Sequence, residues 1–453
     1  MEEKLMEEKR NLIPILLKMT APIILQNTVT LGAAIISNVM VGKLSGVAVG
    51  SVYYGNISLT LLTILIAGIE MAIVAVGAQH FGMGNEEKWR TVCKIGMLCA
   101  VSLGALLTIV CFFFSGAVIK IFNSSTEIID TGAEYLRISA LSYVPFSLSA
   151  AIIGTLRSSK NVSPGLYSSL IAFAVNFGVG YVLIFGKMSF PALGTRGAAI
   201  ATVIARILEL IYLIIYVISK EKVRAVFKIG KMPHLTECVR DLLKIGSPIL
   251  LSQLIWAANS LFSSSLLGNQ NVSSLSAALG IAATANGISY IAISALTTAV
   301  AIIAANAAGK GDETKIKSLI KMGQPCFILT GILSAIFTLL LRYPLIAFYN
   351  VPSESKSLAS TLILVIGITA LGCGYQLPCL NGIVRGLGDT RFTLKIDAIF
   401  TFLVVIPSSL IASRLGAHPA LIFFLLRSDL LLKCAVAYIK VNRRSRVIKV
   451  STG

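Results

Sequence analysis

The sequence predicts an all-α membrane protein with twelve transmembrane helices in two parallel-repeat six-helix bundles. Three observations carry that expectation. Of 453 residues, 56% are hydrophobic and only 13% charged, with a mean hydropathy of +0.85, too little polar surface to cover a soluble globule of this size. Twelve apolar stretches each reach the roughly 20 residues that a helix needs to cross about 30 Å of hydrocarbon. The chain also restarts at its centre, where LLKIGSPILLSQ from Leu242 echoes LLKMTAPIILQ from Leu16.

The stretches run over about 12–41, 48–80, 92–119, 131–157, 163–186 and 193–219, then 240–268, 273–308, 316–343, 355–384, 391–413 and 416–440. They are unbroken apolar runs rather than short alternating segments, so helices satisfy the backbone inside the membrane. Six precede and six follow the one long polar stretch between the two ends, Lys220 to Lys244. The expected organisation is an amino-terminal lobe over 1–219, a cytoplasmic linker over 220–241, a carboxy-terminal lobe over 242–440 and a basic tail over 441–453. The first ten residues, charged in both signs, predict no cleaved leader.

A net charge of +19 raises the question of nucleic acid, and its distribution answers against it. With the amino terminus placed inside, the inside segments hold 27 Lys and Arg and the opposite side 7. That asymmetry sets topology, with both termini cytoplasmic. Eight cysteines without a C-x-x-C pair and three histidines without metal spacing predict neither a disulfide nor a zinc framework.

Landmarks recur between the halves at a nearly constant offset. Pro22 answers Pro248 (248 − 22 = 226), Gly82 and Gly84 answer Gly309 and Gly311 (227), Arg157 answers Arg385 (228), and Leu193 answers Leu415 (222). An even number of spans per repeat gives both halves the same orientation, related by an axis along the membrane normal. In proteins built this way substrate sits between the halves, and the linker ties them without entering the cavity.

The run from Tyr135 to Glu209, with YLRI, LRSSKNVSPGLYSSL and NFGVGYVLIFGKMSFPALGTRGAAIATVIARILE, together with RGLGDTRF from Arg385 to Phe392, resembles the MATE (multidrug and toxic compound extrusion) family of efflux transporters. The resemblance covers nearly the whole chain. It implies a two-lobed antiporter of the inner membrane, a monomer with no cofactor, exporting amphipathic or cationic small molecules in exchange for Na+ or H+. Its partners are then the small-molecule substrate and membrane lipid.

An ionised side chain at the bilayer centre costs about 2.5–3.5 kcal/mol on the lenient insertion scale, so those inside spans are the candidates. Glu70 is expected to be a proton or cation site, a desolvated carboxyl having a raised pKa, or else a carboxylate reaching an interfacial water or a neighbouring hydroxyl. Arg206 and Glu209, three apart, are expected to form an ion pair. Arg427, Asp429 and Lys433 are expected to compensate one another, and Lys395 to mask Asp397. The resemblance further implies cation ligands in the amino lobe at positions matching Ser37, Asn176, Gly180 and Thr202. Two of these are usually acidic and here are Ser37 and Gly180, so hydroxyl and amide oxygens alone remain for a hard cation such as Na+. No other metal is expected. Tyr143, Trp256, Tyr290 and Gln376 are candidates for the substrate cavity, or for helix packing.

No G-x-x-x-x-G-K-[ST] occurs, so no P-loop binds ATP in this chain. GLGD at Gly386 to Asp389 matches one half of an intramembrane aspartyl protease motif, but no Y-D partner exists, and an enzyme is not expected. Flipping of a lipid-linked precursor, or export of one metabolite or peptide, stays open as the alternative.

Overall fold

Long apolar runs with polar, glycine or proline punctuation fold into helices of matching length. In the computed structural model, which describes residues 2–44, 46–122, 125–227, 232–268, 274–349 and 351–443, no strand occurs among the described residues. Eleven helices there are long and apolar enough to cross a membrane: α1 Leu12–Gly42, α2 Ala48–Gly82, α3 Glu86–Phe113, α4 Thr126–Ser158, α5 Ser163–Phe185, α6 Gly194–Ser219, α7 Leu235–Gly268, α8 Leu275–Lys310, α9 Glu313–Leu340, α10 Ser353–Val384 and α11 Thr390–Arg414. The twelfth expected span is divided into α12 Pro419–Leu425 and α13 Asp429–Asn442. Between them Arg427 N–H donates to Phe424 and Leu430 N–H to Arg427. These i to i−3 bonds tighten the chain into a 3-10 turn, a feature that often marks a functional position inside a helix.

Local chemistry sets several boundaries. Gly311 closes α8 in the left-handed region at φ 67°, and Asp312 opens α9 by accepting from the Lys315 N–H at 3.0 Å. Three π-helical stretches, Leu242–Gly246, Pro378–Val384 and Phe400–Val405, each have a proline at their start or within two residues of their end: Pro248, Pro378 and Pro407. Proline lacks the N–H that an α turn needs, and the wider turn accommodates the loss.

The chain divides into two compact units. One comprises residues 25–77 and 86–240, the other residues 1–24, 78–85 and 241–453. The break at 240/241 falls within the expected linker, but the sequence boundary at 219/220 does not anticipate that 1–24 and 78–85 join the unit of the carboxy-terminal half. Backbone packing explains the second of these segments. A Cβ on Gly82 would run into the carbonyl of Asn306, and one on Gly309 into that of Gln79. Gln79 Nε2 also donates to the Gly386 carbonyl at 3.1 Å, and His80 Nε2 lies 3.2 Å from Asp241 Oδ2. Gly309→Ala is therefore expected to destabilise the protein by about 1–3 kcal/mol or more, read as a lowered unfolding midpoint in detergent; an unchanged midpoint would refute this packing.

The linker is not a bare strap. Lys88, 1% exposed at the start of α3, pairs with Glu237 at 2.6 Å, and Thr91 Oγ1 donates to the Pro233 carbonyl at 3.0 Å. Its described carboxy-terminal part is thus docked on α3, while residues 228–231 lie outside the described residues.

Candidate functional site

In the unit of 25–77 and 86–240, buried charge gathers on α2, α4 and α6. Glu70 pairs with Arg157, whose Nη2 also donates to Gln26 Oε1 at 2.9 Å. The two charged side chains are only 18% and 11% exposed, and Gly154 provides the room, since a Cβ there would stand 2.9 Å from Glu70 Cγ. The Glu70 carboxylate is thus held by a guanidinium from another helix, a partner the sequence did not anticipate, in place of the expected water or hydroxyl. Arg206 Nη1 donates to Glu209 Oε2 at 2.7 Å, the guanidinium lying 4.8 Å from the centre of the Phe146 ring. Ser168 Oγ is 3.5 Å from Glu209 Oε1.

The residues implied as cation ligands fall on three neighbouring helices of the same unit. Asn176 Nδ2 donates to Thr202 Oγ1 at 3.3 Å. A Cβ on Gly180 would stand 3.5 Å from Met40 Cε and 3.6 Å from Ala201 Cβ, which brings the outer part of α1 beside α5 and α6. Ser37 is three residues, about one turn, before Met40. The Asn176 amide and the Thr202 hydroxyl are therefore in contact, while Ser37 lies one turn along the helix whose Met40 reaches Gly180. No group of three or more His, Cys, Asp or Glu suited to a metal occurs among the described residues.

The second charged cluster, in the unit of 1–24, 78–85 and 241–453, differs from the expectation. Asp397 is paired not by Lys395 but by Arg385 Nη2 at 3.1 Å and Lys433 Nζ at 3.0 Å. Lys433 also holds Asp429 at 2.9 Å. Arg427, expected to pair with Asp429, instead donates from Nε to Thr369 Oγ1 at 3.1 Å and from Nη2 to Asn286 Oδ1 at 2.8 Å. The 3-10 turn over Leu426–Ser428 lies between this arginine and the helix that carries Asp429, so plain helical spacing mispredicts its direction. Asp389, the acidic residue of GLGD, pairs with Lys440 at 2.6 Å.

The four cavity candidates are divided between the two units, Tyr143 in one and Trp256, Tyr290 and Gln376 in the other. Tyr143 is fully buried and its hydroxyl is 2.7 Å from Ser58 Oγ, which makes it a packing residue of its unit. Gln376 is 3% exposed, whereas Trp256 and Tyr290 are 60% and 45% exposed. Sequence reasoning missed Gln26, Asn286 and Thr369. Each is a neutral side chain that becomes notable only when a partner arginine from a distant helix meets it.

Long apolar helices, with ionised groups held in pairs inside them, define a polytopic integral membrane protein. The MatE family model matches residues 22–182 and 248–411, one stretch in each half of the chain. The chain belongs to the MatE family of transporters and is not of an enzyme family. It is 23% identical over 379 residues to a probable multidrug resistance protein NorM of Thermotoga maritima, covering 83% of this chain and 80% of that one. A NorM protein of Agrobacterium fabrum with the same description is 26% identical over 388 residues, covering 83% and 82%. Among solved structures, the MATE transporter VcmN of Vibrio cholerae superposes with a TM-score of 0.86 at 17% identity, covering 98% of this chain and 99% of that chain. A MOP superfamily transporter from Pyrococcus furiosus, described as having a binding pocket of reverse polarity that suggests a different function, superposes at 0.84 with 14% identity and 95% coverage of both.

Proposed function

We propose that this protein is a secondary active efflux antiporter of the inner membrane that exports amphipathic, including cationic, small molecules in exchange for Na+ or H+. The observation that carries this reading is the family match over both halves, joined to relatives described as multidrug resistance proteins. Substrate enters from the cytoplasmic side, where both termini lie, and alternating access of two lobes releases it outside. A single chain performs the cycle. Ser37, Asn176 and Thr202 are the oxygen donors available to a coupling cation, and Glu70, engaged by Arg157, is the alternative proton carrier.

A membrane potential of 100 mV supplies about 2.3 kcal/mol per net charge moved, so one cation moving inward sustains roughly a forty-fold gradient of a neutral substrate at about 1.4 kcal/mol per decade. One-for-one exchange with a monocation such as ethidium, by contrast, is electroneutral and is driven by the chemical gradient of the coupling ion alone. The test is ethidium transport by purified protein in liposomes with sodium and proton gradients imposed separately. Efflux is expected to accelerate several-fold with one of the two gradients. Equal transport with neither gradient present would overturn antiport.

A further inference from the structure

Arg427 is a charge well inside its span. It is eight residues past the start of α12 and fifteen before the end of α13, and its partners Asn286 and Thr369 lie at least eleven residues from either end of α8 and α10. At 1.5 Å per residue, Arg427 stands about 12 Å from the nearer helix end, within a hydrocarbon layer about 30 Å thick. An ionised group there is costly, and it persists where it has a partner or a function.

Its hydrogen-bond partners in the structure are neutral, although Asp429 is close enough to act on it through space. Thr369 Oγ1 and Asn286 Oδ1 accept two of its N–H groups, which leaves three of the five donors of a guanidinium. Asn286, accepting through Oδ1, keeps its own amide N–H donors. The nearest carboxylate in sequence, Asp429, is engaged by Lys433, and Asp397 by Lys433 and Arg385. Arg385, Arg427 and Lys433 against Asp397 and Asp429 leave one positive charge over. Water satisfies donors but does not neutralise that charge; an anion does both. Around the arginine are Phe423, whose ring centre is 5.6 Å away, and an apolar cluster that includes Ala285, Ile366, Ile422 and Leu426.

Nor is this arrangement part of the repeated framework. Arg157 and Arg385 recur at 228, but Asn286 less 227 is Leu59, Thr369 less 228 is Leu141, and Arg427 less 222 to 224 falls on Val203, Ile204 or Ala205. At these offsets the polar trio has apolar counterparts in the other half.

We propose that Arg427, oriented by Thr369 and Asn286, is the receptor for a monovalent anion, either the carboxylate of an amphipathic organic acid or a free halide. The unengaged N–H edge and the Asn286 amide grip the anion, and Phe423 with its apolar neighbours accommodates a hydrophobic body. That the anion is a group on the exported molecule rests on the transport reading; the site does not, and a binding measurement separates the two.

The test uses the purified full chain in detergent and equilibrium dialysis with radiolabelled 2-naphthoate, 2-naphthamide and protonated 2-naphthylmethylamine, which share one ring system and differ in charge. Naphthoate is expected to bind at least tenfold more tightly than either analogue, a difference in the range of a charge-assisted hydrogen-bonded contact. Arg427→Gln is expected to remove that preference. Because that variant also strips partners from Asn286 and Thr369, Asn286→Asp is the second arm: it supplies an internal counter-anion, so naphthoate binding is lost while the unfolding midpoint holds. Competition by titrated chloride, with naphthamide as reference for ionic strength, assigns the site to a halide; retention of naphthoate in chloride assigns it to the organic acid. Equal binding of naphthoate and naphthamide, or undiminished naphthoate binding in either variant, would overturn the proposal.

Discussion

Replacing Glu70 with alanine is expected to destabilise the protein by about 3–5 kcal/mol, because it leaves Arg157 buried and uncompensated. The pair is largely shielded, with side chains 18% and 11% exposed, and Gln26 alone remains to Arg157. A neutral carbonyl satisfies a donor but not a charge. Glu70→Leu with Arg157→Met removes both charges at similar volume and is expected to restore most of the unfolding midpoint. The double variant also separates structure from coupling. If Glu70 serves only to hold Arg157, the repacked protein still couples efflux to an imposed ion gradient; if it carries the proton, the repacked protein is stable yet indifferent to the gradient. A wild-type midpoint for Glu70→Ala alone would show that the pair contributes nothing.

The second large effect is expected at Asp397, where one carboxylate faces two cations, Arg385 at 3.1 Å and Lys433 at 3.0 Å. Asp397→Asn keeps the shape and removes the charge. Lys433 retains Asp429, whereas Arg385, nearly fully buried, keeps only Thr393 and an amide. The expected cost is again about 3–5 kcal/mol. Adding Lys433→Met to Asp397→Asn should not rescue it fully, because Arg385 is the residue left stranded; adding Arg385→Met should. Thermal unfolding of the three proteins in detergent checks the order, and equal midpoints for the two double variants would contradict it.

Much of the fold was legible because a membrane reduces the problem to length and hydropathy. Eleven of the expected stretches correspond to helices of spanning length, and the departures occur where the chain's own hydrogen bonding changes pitch. The 3-10 turn at Leu426–Ser428 divides the last stretch and parts Arg427 from Asp429. Charged pairs followed the same logic. Arg206 and Glu209 lie on one helix three residues apart, where geometry is fixed by the backbone. Glu70 and Arg157 are separated by 157 − 70 = 87 positions and Asp397 and Lys433 by 36. Such partners are decided by which helix faces meet, and hydropathy is silent about that. The same reason hid Gln26, Asn286 and Thr369, whose roles exist only through arginines elsewhere in the chain. Ser37, Asn176 and Thr202 entered through resemblance rather than through any local pattern.

Gly82 against the Asn306 carbonyl and Gly309 against that of Gln79 form a reciprocal contact, since 309 − 82 and 306 − 79 are both 227. Backbone touches backbone there, and side-chain identity enters only as the absence of a Cβ. Such a joint is indifferent to what the rest of each half carries. The positions 227 apart are then free to differ in their ionisable groups, a carboxylate at position 70 and Thr297 at 70 + 227, while the seam between the helices keeps its shape. The glycines fix where the helices touch, and leave the ionisable groups elsewhere unconstrained.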